Sequence, residues 1–158
     1  MMGAATVRLA RPGEAEAIAA LLLAAFAEFE LLYTPEAYSA TTPKAGQIGA
    51  RFEEGPMWVG ELDGAAVGTI SAVPREEALY VRSMAVLASA RGHGVGKALL
   101  SAAEDYGRAN RYRRLILSTT PFLGAAIRLY QNAGFRFTGE KTDLFGTPLL
   151  TMEKLIAP

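Results

Sequence analysis

The sequence predicts an α/β domain of the α+β kind: one mixed, mostly antiparallel sheet of about seven strands flanked by helices. Short apolar runs of strand length recur along the chain, and longer stretches repeat their apolar residues at helical spacing. Gly- and Pro-containing turns separate them in the order β-α-α-β-β-β-α-β-α-β-β. With 158 residues, 51% of them hydrophobic, the chain holds material for one core and reads as a single domain over residues 1–158.

Thr6 to Leu9 reads as the first strand, broken by Arg11-Pro12-Gly13. Glu14 and Glu16 then suit the positive end of a helix. Ile18, Leu21, Leu22, Ala25 and Phe29 fall on one face of that helix. From Leu31 to Gly55, Pro35, Pro43, Gly46 and Gly49 punctuate weak helical stretches, read as one short helix with loops. Met57–Leu62 and Ala66–Val73 flank Asp63-Gly64, a strong hairpin signal. Leu79 to Leu87 is the next strand, and a Gly-rich stretch then opens a helix ending near Asn110. Its expected inner stripe is Val95, Ala98, Leu99, Ala102 and Tyr106, with Glu104 and Arg108 paired one turn apart outside. Arg114–Thr119 reads as a strand, Pro121 as the first turn of a helix running to Ala133, and Gly134 as its stop. Strands over Phe135–Gly139 and Leu149–Leu155 follow, joined by a loop with Gly146 and Pro148.

Composition excludes several chemistries. Lys plus Arg equals Asp plus Glu at 16 each, so no global field draws nucleic acid or an anionic membrane. The absence of Cys, with His93 as the single His, leaves no disulfide, no thiolate metal centre and no histidine cluster; no metal is expected. The apolar run Ala17–Ala27 falls short of the roughly 18 residues of a membrane span. Glu14 and Glu16 interrupt the faint signal-peptide pattern begun by Arg8 and Arg11, so a cytoplasmic helix is expected. The high apolar content admits a homodimer, although a generous monomer core accounts for it equally.

The most informative stretch is Arg91-Gly92-His93-Gly94-Val95-Gly96-Lys97, between a strand and a helix. A dinucleotide fingerprint fails because Lys97 stands where its third Gly belongs, and a P-loop fails at Arg91 and Ala98. A kinase-like nucleotide binder lacks its magnesium ligands as well. What remains is R-x-x-G-x-G before an Ala/Leu-rich helix, preceded by Met84-Ala85-Val86. Small residues there let successive amides converge on an anion, the helix start adds positive potential, and Arg91 and Lys97 add full charges. An ordinary strand-to-helix turn with solvated basic side chains is the bland alternative.

This stretch resembles the corresponding motif of the GCN5-related N-acetyltransferase (GNAT) family. Ala126-Ile127-Arg128-Leu129-Tyr130-Gln131-Asn132-Ala133-Gly134-Phe135 is similar to that family's later motif, a helix with A-x-x-L-Y ending at G-F. The resemblance runs from Thr6 to about Leu155, with no family signal in Leu31–Gly55. It implies a sheet whose neighbouring parallel strands splay apart, and acetyl-coenzyme A as donor, without a metal. It places the pantetheine arm on the strand edge at Met84, Ala85 and Val86, a form of strand addition. The pyrophosphate is implied on Arg91, Gly92, His93, Gly94, Val95, Gly96 and Lys97, and the arm beside Phe122, Leu123, Ala126 and Tyr130.

The implied reaction is N-acetyl transfer to a primary amine of a small molecule, amino acid or peptide terminus. The amine attacks directly through a tetrahedral intermediate, and Tyr130 protonates or hydrogen-bonds the departing thiolate. Ordinary pKa values of about 10 for Tyr and about 8.5 for a thiol make full transfer uphill by roughly 2 kcal/mol. Packing alone also accounts for Tyr130, since Phe122, Ala126, Leu129 and Ala133 share its helical face. Leu123 stands where many members carry an Asn that contacts the arm, and the strand before the Gly turn offers Tyr80, Arg82 and Ser83 rather than an acidic base. Those departures leave open a noncatalytic acyl-coenzyme A binding module.

Specificity is expected from loops on the rigid frame, chiefly Leu31–Gly55 and the loop between the last strands. Glu28, Tyr33 and Tyr38, with Phe52, are candidate acceptor-site residues. Trp58 is read as packing; Glu28 and Glu30 could attract a cationic amine, and solvated charge accounts equally for both and for Glu76 and Glu77.

Overall fold

A computed structural model describes residues 3–157; Met1, Met2 and Pro158 lie outside the described residues. Seven strands form one sheet: β1 (Thr6–Leu9), β2 (Met57–Leu62), β3 (Ala65–Arg75), β4 (Ala78–Val86), β5 (Arg114–Thr119), β6 (Arg136–Leu144) and β7 (Thr147–Leu155). Their spatial order is β1-β2-β3-β4-β5-β7-β6, antiparallel throughout except for β4 beside β5. Helices α1 (Ala15–Phe26), α2 (Pro35–Thr41), α3 (Ala45–Arg51), α4 (Val95–Ala109) and α5 (Gly124–Asn132) flank it. Among the described residues no helix is long and apolar enough to cross a membrane.

Strand alternation divides the apolar residues between the two faces. On one face Leu79, Leu115 and Met152 pack with Leu99 of α4, each fully buried. On the other, Val59 and Met57 pack with Leu22 of α1 and Ile48 of α3. Truncating a fully buried leucine such as Leu99 to Ala costs about 2–5 kcal/mol.

Several boundaries differ from expectation. Leu31–Gly55 folds as two helices: Thr34 caps α2, its Oγ1 accepting from Ala37 N at 3.2 Å, and Lys44 precedes α3. Helix α1 stops at Phe26, and a 3-10 turn over Ala27–Leu32 carries Phe29 to the cavity described below rather than into the core. The inner face of α4 is Val95, Leu99, Leu100, Ala103 and Gly107, rotated from the expected stripe, with Ala102 and Tyr106 at its margin. Helix α5 begins at Gly124, three residues after Pro121.

The loop foreseen between the last strands is a tight hairpin at Phe145-Gly146, with β6 reaching Leu144 and Pro148 inside β7. Both turn residues have positive φ, 48° and 94°, the primed-turn geometry. A non-glycine residue is held there by its contacts. Asp143 Oδ2 accepts from Gly146 N at 2.7 Å, and the Phe145 carbonyl accepts from Thr34 Oγ1 at 2.7 Å. Thr147 Oγ1 also accepts from Thr34 N at 3.0 Å, so the start of α2 is fastened to this hairpin. Trp58 is buried, edge-on to Tyr106 with ring centroids 5.7 Å apart.

Candidate active site

The parallel strands part company early. β4 and β5 pair at Ala78 with Arg114, Leu79 with Leu115 and Tyr80 with Ile116, and no further. From Val81 onward the β4 edge facing β5 has no strand partner, so its peptide groups face an opening of about 800 Å³. A kink deepens the divergence: Ser83 adopts φ 54°, and the β3–β4 register slips between Thr69 and Ser71, as an inserted residue in one strand requires. Across the seam, the hydroxyls of Thr119 and Thr120 are buried and without a hydrogen-bond partner among the described residues.

The open edge runs into the Gly turn. Gly92 and Gly94 have φ of 84° and 83°, a region that penalises any residue with a Cβ, and Gly94 caps α4 in that left-handed state. The first helical amide bonded to a carbonyl is Ala98 N, on Gly94 O at 3.0 Å. The amides of Val95, Gly96 and Lys97 therefore stay free at the positive end of a 15-residue helix. Arg91 and Lys97 line the cavity here. Arg91 is held by three acceptors: Val86 O and Ala25 O at 3.3 Å, and Glu28 Oε1 at 2.5 Å. It fastens the turn to the end of α1.

The Tyr130 side chain from α5 closes one wall. It is 7% exposed, tilted against Phe135 with centroids 6.0 Å apart, and it lines the cavity with Leu129, Ala126, Leu123 and Phe122. Burial, aided by the neighbouring Tyr33, pushes its phenol well above the ordinary tyrosine value. Tyr33 is also buried and pushed up; Thr41 and Thr120 nearby act in the opposite direction. Its ring meets Phe122 edge-on at 4.9 Å.

The expected site residues are thus largely gathered in one place. Met84, Ala85, Val86, Arg91, Gly92, Gly94, Val95, Gly96, Lys97, Phe122, Leu123, Ala126 and Tyr130 all line the cavity, as does Tyr33. His93 sits on the exposed crest of the turn and is not part of the lining. Glu28 is engaged by Arg91, Tyr38 stacks behind Tyr33 at 6.1 Å, and Phe52 packs on the α1–α3 core; none of the three lines the cavity. Arg51, Arg75, Thr119 and Thr120 do line it and escape the motif reading, because the signal for each is a contact made by distant segments.

The "Acetyltransferase (GNAT) family" model matches residues 18–135, most of the chain and both motif regions. The chain belongs to the GNAT acetyltransferase family. Similar curated proteins include N-acetylaspartate synthetase of Danio rerio, 38% identical over 89 residues, which are 55% of this chain and 32% of that protein. N-acetyltransferase 8B of Homo sapiens is 34% identical over 90 residues, 53% of this chain and 40% of that one. The chain thus matches about a third to two fifths of these relatives' length. Among solved structures, a phosphinothricin acetyltransferase from Sinorhizobium meliloti, in complex with acetyl-coenzyme A, superposes with TM-score 0.78. It is 23% identical, with 98% of this chain and 90% of that one covered, a likeness of fold. The open mixed sheet with a parted parallel pair is the GNAT fold.

Proposed function

We propose that this GNAT domain, residues 1–158, transfers an acetyl group from acetyl-coenzyme A to the primary amine of a small molecule, amino acid or peptide terminus. One observation carries the reading: an unpaired strand edge, Val81 to Val86, leads directly into the free amides at the start of α4. A long ligand with a peptide-like arm and a diphosphate end matches that sequence of groups. Gly92 to Lys97 would take the pyrophosphate, with Arg91 and Lys97 supplying charge. His93 contributes its backbone. Met84, Ala85 and Val86 would pair with the pantetheine amides. Phe122, Leu123 and Ala126 would flank the arm, Leu123 by apolar contact where many relatives use an Asn.

At the seam the amine nitrogen attacks the thioester carbonyl carbon. A C–N bond forms, the oxyanion accepts from the main-chain amide near Val86, and the intermediate collapses with C–S cleavage. The sulfur gains a proton and the former amine loses one to solvent. Tyr130, on the cavity wall, would hydrogen-bond the departing thiolate. Its raised pKa makes complete proton transfer still more uphill than for an ordinary tyrosine, so hydrogen bonding is its role. Tyr33, with Tyr38 supporting it, closes the acceptor end, and Glu28 acts indirectly through Arg91.

Among the described residues no Asp, Glu or His lines the cavity, which favours an amine that arrives neutral over one deprotonated by the protein. The same observation favours a second reading, a noncatalytic acyl-coenzyme A module. Relatives named N-acetylaspartate synthetase make amino acids the first acceptors to try. Calorimetry with coenzyme A, followed by thiol release with acetyl-coenzyme A and a panel of amines, tests both. Binding with thiol release that depends on an amine supports the transferase; binding with no transfer to any amine supports the module.

A further inference from the structure

Behind the seam, on the face of β4 opposite Leu79 and Val81, the wall is cationic. Tyr80 and Arg82 share that face by strand alternation, and the end of α3 comes down against them. Arg82 Nη2 lies 2.5 Å from Glu54 Oε1. Arg51, the last residue of α3, donates from Nη1 to Ser83 Oγ at 2.8 Å. Arg75 lays its guanidinium over the Tyr80 ring, 4.1 Å from the centroid. All three arginines line the cavity, and none of its lining residues is a carboxylate.

The charges in this group do not balance. Three guanidiniums line this part of the cavity, and the one carboxylate shown against them is Glu54, which pairs with Arg82, is half exposed and stands outside the lining. Burial, followed by the like charge of Arg82, pulls the Arg51 guanidinium below its ordinary range, with Glu54 opposing only in part. Arg82 Nε, moreover, is buried with no hydrogen-bond partner among the described residues. A planar guanidinium is suited to grip a carboxylate in two-pronged fashion, and crowded cations with an unused donor are relieved by a bound anion.

We infer that Arg51, Arg75 and Arg82 form the acceptor's anion site, so that the acetylated amine is an amino acid with a free carboxylate, a dicarboxylic one above all. This rests on the transferase reading above and narrows its acceptor class. The preference for two carboxylates follows from the charge count, three cations against one fixed anion. Arg91 and Lys97 lie at the other end of the unpaired edge, beyond Val86, and serve the donor's phosphates.

The test measures thiol release by the full chain with aspartate, asparagine, aspartic diamide and lysine methyl ester as acceptors, beside coenzyme A affinity by calorimetry. Aspartate is expected to exceed asparagine, and asparagine the diamide, by about 10-fold each in kcat/KM, the size of one charged hydrogen-bonded contact. Arg51→Gln and Arg82→Gln should each raise KM for aspartate about 10-fold or more, leaving diamide turnover and coenzyme A affinity within about twofold. Arg75→Gln, near the exposed β3–β4 turn, repeats the test where folding is not at stake. Equal use of all four amines, or a preference for the diamide or the cationic ester, overturns the inference. So does a loss of coenzyme A affinity in Arg51→Gln, which would assign these cations to the donor. Coenzyme A binding without acetylation of any amine would remove the transferase reading itself, and this inference with it.

Discussion

Tyr80 and Ile116 are the last residues paired between the two parallel strands, and the open edge that leads to the Gly turn begins beyond that rung. Up to it, β4 and β5 satisfy each other's peptide groups; past it they cannot. Ser83 bends β4 out of line, and the turn after Val86 swings the chain toward α4. The cost of an unpaired edge inside a sheet is offset only when something else pairs with it, which is the physical reason to expect a peptide-like ligand there.

Across that seam Thr119 is buried, and its hydroxyl has no hydrogen-bond partner among the described residues. An unsatisfied buried hydroxyl stabilises nothing, so Thr119→Val, nearly isosteric, should leave the melting temperature of the ligand-free protein unchanged or raise it. If the hydroxyl bonds the donor, the same change weakens acetyl-coenzyme A binding by about 5- to 10-fold. Thermal melts and calorimetry on one preparation separate the two effects, and an unchanged Kd would take Thr119 out of the site.

At Gly94 an added Cβ meets nothing within 4 Å, so Gly94→Ala tests backbone conformation alone. Holding Ala at φ 83° costs about 1–2 kcal/mol, and the strain falls where three free amides would meet the proposed diphosphate. Coenzyme A affinity should drop about 10-fold as the cap relaxes toward a right-handed turn. Gly49→Ala, in open space on α3 without positive φ, should instead stabilise the protein by roughly 0.5–1 kcal/mol with no change in Kd. Equal effects of the two substitutions would contradict the assignment of the turn.

Removing the phenol while keeping its ring isolates the chemistry from the packing. Tyr130→Phe preserves the contact with Phe135, so the melting curve and coenzyme A affinity should hold. Turnover at saturating donor should fall about 10-fold or more, the size of one lost hydrogen bond to a charged sulfur. Because burial raises the phenol's pKa, it stays protonated through the working range and contributes no alkaline limb of its own. Stopped-flow thiol release across pH provides the check; undiminished turnover in the variant would assign Tyr130 to packing only.

The parts legible in advance were those whose signal is local. Arg91 to Lys97 announces its turn through residue types within one short stretch, and Asp63-Gly64 its hairpin; the hairpin pair takes positive φ as its residue types suggest, and Gly92 and Gly94 adopt it as well. Phe145 misleads because its left-handed state is imposed from outside by Thr34, whose Oγ1 bonds a carbonyl 111 positions away. Pro74 likewise ends a strand by rule yet sits inside β3, two places from the Glu76 turn where the ladder is nearly finished. The arginine wall was invisible for the same reason. Arg82 joins Glu54 across 28 positions and Ser83 joins Arg51 across 32, and nothing in either segment alone signals the meeting.

Far from the seam, Glu14 ties the first strand to the start of α1. It accepts from Arg8 Nη1 at 2.8 Å and Nη2 at 2.7 Å, and from Arg11 N at 2.8 Å. The Arg8 hydrogen bond first, and then the Arg11 amide, lower its carboxyl pKa to about 2 from 4.5. A folded-state pKa below the unfolded one means stability that is complete above 4.5 and lost as pH falls toward about 2. Partly solvated, the contact is worth about 1 kcal/mol, or roughly 2–4 °C in a chain of this size. Glu14→Gln should therefore melt a few degrees lower than the parent at neutral pH, with the gap closing steadily through the acid range. Scanning calorimetry across that range decides it: a gap of constant size down to the lowest pH would mean the carboxylate's charge contributes nothing to holding β1 against α1.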